Sequence, residues 1–245
     1  MAVDTALMMS LDQGFSTIPT LRLYGWEEPT LTAGYAQSYD DLKLTYLAQN
    51  KIPVTRRPTG GRALLHDDEV TYSVTVPSTS SHYGSLRDIY TFISVALKKT
   101  LADIGVCADA DTGETGSRGV ASCFATRTKH EITVEGRKVT GSAQRRLKNA
   151  AMQHGFISLS NDIERNLACI RWNNPTEIEK TRKRMGGIND FVNGPISPKT
   201  LEKALIRSFE SLYDITFVND GVTEEENGIA ESLLHDLEIG LVAKT

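Results

Sequence analysis

Between Leu86 and Ile104 the apolar residues Ile89, Phe92, Ile93, Ala96, Leu97 and Leu101 recur at the spacing of one helical face. The pattern predicts a core-facing helix over 86–104, with Ser85 as N-cap and Gly105 as its stop. Elsewhere the period shortens to two. Glu69 to Val76 alternates polar and apolar side chains as a half-buried strand does, and Leu21–Tyr24 and Thr30–Ala33 alternate likewise. The last two are separated by the turn-like Glu27-Glu28-Pro29 and are expected to be neighbours in one sheet. His130–Val134 and Arg137–Thr140 flank Glu135-Gly136, which is a hairpin signal, and Phe156–Leu159 reads as a further strand. Val54 leads into a strand that ends at Arg56-Arg57.

Ala2–Met9 reads as the end of an amphipathic helix that begins almost at the first residue, leaving no room for a strand ahead of it. Leu42, Leu44, Tyr46 and Leu47 suit a short helix capped near Asp40. Asp109–Ser122 is rich in Gly, Asp, Thr and Ser without periodicity and is expected to be a surface loop. Beyond residue 160 the pattern turns helical at Glu177–Met185, Ser197–Leu212 and Thr223–Leu237, Ser197 and Pro198 forming an N-cap and first position. The predicted class is α+β, a mixed, mostly antiparallel sheet flanked by helices. It is expected to be a single domain over 1–245 with a mainly helical part from about 160.

Charge and cysteine content narrow the partners. With 27 Lys+Arg against 31 Asp+Glu there is no global basic field, so nucleic acid is not an expected partner and an anionic one must be met locally. Cys107, Cys123 and Cys169 are an odd number without CxxC spacing, which argues against a disulfide framework or a zinc site. There is no basic n-region, no apolar run of the ~20 residues that span a bilayer and no lipidation motif. The expected setting is cytoplasmic, without a membrane partner.

The densest candidate chemistry lies in Arg56-Arg-Pro-Thr-Gly-Gly-Arg-Ala-Leu-Leu-His-Asp-Asp-Glu-Val-Thr-Tyr-Ser-Val74. Gly60 and Gly61 permit backbone conformations and close approaches that a Cβ forbids, and Pro58 sets a turn on the end of a strand. A ligand-binding turn and a plain hairpin turn with solvated arginines both fit. Cys123 ends the polar loop; a lone cysteine is either a nucleophile or a small buried hydrophobe. Cys107 and Cys169 lie in apolar surroundings and read as structural. Gly113-x-x-Gly116-x-x-Gly119 reads only as a flexible loop, and there is no Gly-x-x-x-x-Gly-Lys phosphate loop.

Three ordered blocks carry a resemblance. Arg56-Arg-Pro-Thr-Gly-Gly-Arg62 with His66-Asp67 and Thr71–Val74, then Gly136-Arg-Lys138-Val-Thr-Gly141-Ser142-Ala143-Gln144, then Gln153-His154-Gly155, resemble the biotin/lipoate protein ligase and acyltransferase superfamily. Cys123 stands where its octanoyltransferase branch carries an acyl-accepting cysteine. The resemblance runs from about Leu21 to Leu159 and implies that superfamily's catalytic fold. It implies Cys123 and Lys138 as catalytic residues, the lysine lowering the thiol pKa. It also implies a substrate channel bordered by Arg57, Gly60, Gly61, Arg62, His66, Gly141, Ser142, Ala143, His154 and Gly155.

The backbone N–H groups after Gly141 are available to an oxyanion, and Arg56, Arg57 and Arg62 to an acidic carrier protein or its phosphopantetheine arm. The donor implied is octanoyl-acyl carrier protein, and the acceptor a lysine of the lipoyl domain of a 2-oxoacid dehydrogenase or of the glycine-cleavage carrier. No cofactor or metal is implied. The same superfamily contains ATP-dependent lipoate-protein ligases, in which the matching lysine serves an adenylate. Those relatives usually show a third consecutive glycine, where this chain has Arg62. A noncatalytic carrier- or lipoyl-domain-binding module on the same scaffold is the other alternative.

Overall fold

The computed structural model describes residues 1–78, 84–109 and 131–237. The helix at its centre, α3 (Leu86–Asp103), starts where its local chemistry dictates. Ser85 Oγ accepts from Asp88 N while the Asp88 carboxylate accepts from Ser85 N, a capping box that satisfies two of the donors a helix start leaves open. Its apolar stripe, Ile89, Ile93, Ala96, Leu97 and Leu101, is buried against Val70, Tyr72, Val74 and Val76 of the sheet. Helix α6 (Pro198–Tyr213) closes over the same core through Leu201, Leu205 and Phe209.

The described residues form two sheets. The larger has five strands in the order β1 (Thr20–Tyr24), β5 (Glu69–Pro77), β8 (Ala150–Ser158), β7 (Arg137–Arg146), β6 (Ile132–Val134), all antiparallel. The smaller places β2 (Thr30–Ala33) between β3 (Val54–Arg56), which is parallel to it, and β4 (Leu64–His66), which is antiparallel. The mixed, mostly antiparallel α+β class therefore holds. The expectation that the strands at Leu21 and Thr30 are neighbours does not: β1 is an edge of the large sheet and β2 the centre of the small one. Alternation shows that a segment is a strand, but the bend at Glu27-Glu28 carries the chain to another sheet.

The chain returns between β4 and β5, so the glycine-rich stretch contributes to both sheets. Strand β5 is buried on both faces rather than half-buried. Its Val and Tyr residues meet α3, while Thr71, Ser73 and Thr75 are buried on the opposite face, where α1 (Ala2–Gln13) packs. Strand β8 is buried along almost its whole length as well. It begins at Ala150, ahead of the predicted Phe156, because a strand covered on both sides shows no alternation.

The hairpin turn forms as expected, with Glu135 at φ 50° and Gly136 at φ 73°. The short helix near Leu42 is α2 (Leu44–Gln49), preceded by a single 3₁₀ turn at Tyr39–Asp41 that Ser38 caps. A helix not anticipated, α4 (Ile163–Ala168), is capped by Asp162 and followed by α5 (Pro175–Arg184). The last, α7 (Glu224–Leu237), packs on α1. No helix among the described residues is long and apolar enough to cross a membrane. The predicted loop over Asp109–Ser122, apart from Asp109, lies outside the described residues.

Candidate active site

A cleft opens between the small sheet and one face of the large one, and the motif blocks meet in it. Gly60 and Gly61, joining β3 to β4, form one wall with His66 of β4. Gly141, Ser142 and Ala143 of β7 and His154 and Gly155 of β8 form the floor, and Leu64 and Phe156 supply apolar lining. Gly141 is there for space, and Gly61 for its backbone conformation. A Cβ on Gly141 would fall 2.8 Å from Phe156 Cε1 and 3.0 Å from Lys138 Cε, and Gly61 has φ +100°.

Arg57 also reaches the cleft wall, but its guanidinium is buried and donates to Thr32 O, Thr32 Oγ1, Gly60 O and Arg62 O at 2.6–3.3 Å. It clamps the Gly-Gly turn to β2. Arg56 is likewise turned inward, to the carbonyls of Gly34, Tyr35 and Gln37 and the Tyr39 hydroxyl. The reading of these two arginines as solvated or facing a carrier protein gives way to an internal one, because they satisfy carbonyls that tight turns leave unpaired. Arg62 points its guanidinium to within 3.9 Å of Asp41 and does not line the cleft.

His66 is held in one tautomer. Its Nδ1 lies 2.6 Å from Glu69 Oε1, an acceptor, so Nδ1 carries the proton. In the neutral ring Nε2 then accepts from Thr32 Oγ1 at 2.9 Å, whose oxygen accepts in turn from Arg57. A second chain, Trp26 Nε1 to Thr71 Oγ1 to Glu69 Oε1, converges on the same buried carboxylate. Trp26 stacks on the His66 ring at 4.5 Å.

His154 is fixed differently. Its Nε2 is 2.6 Å from Thr59 Oγ1, and its Nδ1 faces Asp4 Oδ2 at 3.9 Å, an electrostatic contact too long for a hydrogen bond. Burial pushes His154 below its ordinary pKa, with Asp4 opposing. Asp4, fully buried in α1, accepts from Arg22 Nη1 at 2.8 Å and Tyr24 OH at 2.7 Å. Burial alone would raise its carboxyl, but His154, the terminal ammonium and Arg22 hold it well below the usual carboxylate range. Sequence reasoning missed Asp4 and Thr59. A signal existed for Asp4, which sits one turn before Leu7 and Met8 on the helix's apolar side.

Lys138 reaches the cleft side through a bulge. Thr133 pairs with Lys138 and Ile132 with Thr140, so Val139 is an extra residue on β7 and the side-chain alternation reverses across it. Val139 joins the α3 core, whereas Lys138 Nζ lies 3.2 Å from where a Gly141 Cβ would be, and its ammonium meets Glu131 Oε1 at 2.8 Å. Cys123 lies outside the described residues. Cys169 is buried, its thiol pushed up to about 12 by burial, which suits a structural role; Cys107 is exposed. Among the described residues no group of His, Cys, Asp and Glu is arranged to hold a metal ion.

Residues 1–210 match the family model of the lipoyl protein ligase A/B catalytic domain. The chain belongs to this family. Relatives within it include an octanoyltransferase LipM of Kyrpidia tusciae, 36% identical over 96% of this chain and 89% of the relative. An octanoyltransferase LipM of Moorella thermoacetica is 33% identical over 95% of this chain and 88% of its own. Among solved structures, protein Ta0514 of T. acidophilum with bound lipoic acid superposes with a TM-score of 0.77 at 25% identity, covering 96% of this chain and 89% of that one. The catalytic fold expected from the three motif blocks is thereby established.

Proposed function

We propose that the chain is an acyltransferase of lipoate biosynthesis that moves octanoyl from acyl carrier protein to a lysine of a lipoyl domain by way of a thioester on Cys123. The observation that carries this reading is the convergence of all three motif blocks on one cleft, with the Lys138 ammonium beside Gly141. Its relatives named as octanoyltransferases point the same way.

The chemistry divides into two balanced steps. The Cys123 thiolate attacks the octanoyl carbonyl carbon; a new C–S bond forms, the carrier's C–S bond breaks, and the pantetheine sulfur leaves with the electron pair and is protonated from solvent. The neutral amine of the acceptor lysine then attacks the enzyme thioester. A C–N bond forms, the Cys123 C–S bond breaks, and the amine's proton is released as the thiolate is regenerated. Lys138 supplies the cation that favours thiolate over thiol. Leu64 and Phe156 offer apolar surface to the acyl chain. A thioester is already activated towards an amide, so no nucleotide is consumed.

Intact-mass measurement after mixing the protein with octanoyl carrier protein, without ATP, tests the reading. The expected result is one octanoyl on Cys123, absent in Cys123→Ala and discharged on adding a lipoyl domain. Transfer only from free octanoate with ATP and Mg²⁺ would instead identify a lipoate ligase. Carrier or lipoyl-domain binding unchanged in Cys123→Ala, with no transfer in either protein, would identify a binding module.

A further inference from the structure

Lys138 and Glu131 form an ion pair of 2.8 Å in which both side chains are withdrawn from water, 4% and 8% exposed. Such a pair is an expensive way to fill a core: two apolar side chains of similar volume are often as stable or more so, while losing one partner strands the other charge. It is assembled by a specific device, the extra residue Val139, which turns Lys138 away from the α3 core and towards Gly141. The hairpin places Glu131 just ahead of β6, within reach of Lys138.

Among the described residues, the other charged groups on elements packed against β7 are engaged elsewhere or lie at a helix end. Arg137 pairs with Asp190 and stacks on Phe191. On α5, Arg182 pairs with Glu164 and Glu179 and Lys180 with Glu177, while Lys183 and Arg184 close its last turn. On β8, His154 faces Thr59 and Asp4. His66, whose ring meets Phe156 edge-on, is turned to Glu69. Glu131 is a carboxylate in direct contact with the Lys138 ammonium in this structure.

From this geometry we infer that Glu131 is a positioning residue of acyl transfer: it holds Lys138 in its charged form, aimed along Gly141, so that the ammonium persists in a site where desolvation favours the neutral amine. The inference rests on the proposed role of Lys138. An adjacent carboxylate raises a lysine's pKa, so removing it lets the ammonium lose its proton at lower pH.

Two readouts test the proposal on the intact chain. In the first, the pH profile of Cys123 acylation by octanoyl carrier protein is measured for wild type, Glu131→Gln and Glu131→Asp. The descending, alkaline limb is expected to move to lower pH by about one to three units in Glu131→Gln and by less in Glu131→Asp, which keeps the charge at shorter reach. The glutamine substitution in a Lys138→Arg background is expected to leave that limb in place, because a guanidinium does not deprotonate in this range. In the second, the Lys138 side-chain resonance is titrated by NMR with ¹³C-labelled lysine, and its midpoint is expected to fall in Glu131→Gln. The second needs no nucleophile, so a wild type that is never acylated on Cys123 refutes the mechanism without deciding the ion pair's role. An unmoved alkaline limb together with an unmoved Lys138 midpoint, or a limb that moves equally in the Lys138→Arg background, overturns the inference.

Discussion

Replacing Asp4 by asparagine tests whether the buried carboxylate of α1 holds the cleft floor in place. Asp4 is fully buried and accepts from Arg22 and Tyr24, while its second oxygen also faces His154 Nδ1. An amide keeps the shape but has no charge, and it turns one acceptor into a donor facing groups that donate. Breaking a buried pair costs about 3–5 kcal/mol; Arg22 is 29% exposed, so water recovers part of its solvation and the expected loss is about 2–4 kcal/mol. At about 2–4 °C per kcal/mol for a chain of this size, Tm should fall by about 5–15 °C at pH 7.5.

The pH dependence follows from the two shifts. The Asp4 pKa is depressed in the folded state, so its stabilisation is complete above the unfolded carboxylate value of about 3.9 and is lost only as pH falls through the lower folded value. His154 is also depressed, so the unfolded chain takes up a proton near pH ~6.5 before the folded one does; removing Asp4 deepens that depression. The gap between wild type and Asp4→Asn should therefore be at least as large at pH 5 as at pH 7.5. Thermal unfolding followed by circular dichroism at both values is the assay. A loss under about 2 °C at pH 7.5, or a gap that closes by pH 5, refutes the reasoning.

Gly141→Ala should cost about 1–3 kcal/mol by forcing Phe156 or Lys138 aside, and acylation by octanoyl carrier protein should slow by more than about tenfold; an alanine variant with wild-type rate would show that the close approach is dispensable. Thr32→Val removes both the donor to His66 Nε2 and one acceptor of Arg57, and the urea midpoint should drop by the equivalent of about 1–3 kcal/mol, with an unchanged midpoint counting against the relay. Calorimetry with ATP, Mg²⁺ and octanoate should show no binding heat, since the donor thioester is already activated; tight binding or adenylate formation would favour a ligase.

What the sequence determined by itself was local. The span and cap of α3 follow from a 3.6-residue stripe and from Ser85 and Asp88 three residues apart, and the hairpin turn follows from a glycine at a positive-φ position. Several residues of the motif blocks, His66, Gly141 and His154 among them, line the cleft, and they were legible because residue type and order are carried by the chain whatever the fold does with them.

Tertiary structure decided which strands pair and where side chains point. Leu21 and Thr30 are nine residues apart in sequence yet in different sheets, while Thr59 and His154, 95 residues apart, share a hydrogen bond. Arg57 and Arg62 flank the same glycines, but one clamps the turn from inside and the other faces Asp41. The direction of Lys138 depends on one extra residue in β7, visible only once the register with β6 is known. The physical reason is common to all of these: alternation and capping are set by neighbours within a few residues, whereas strand pairing, burial on a second face and the partners of a buried charge depend on chain segments that only folding brings together.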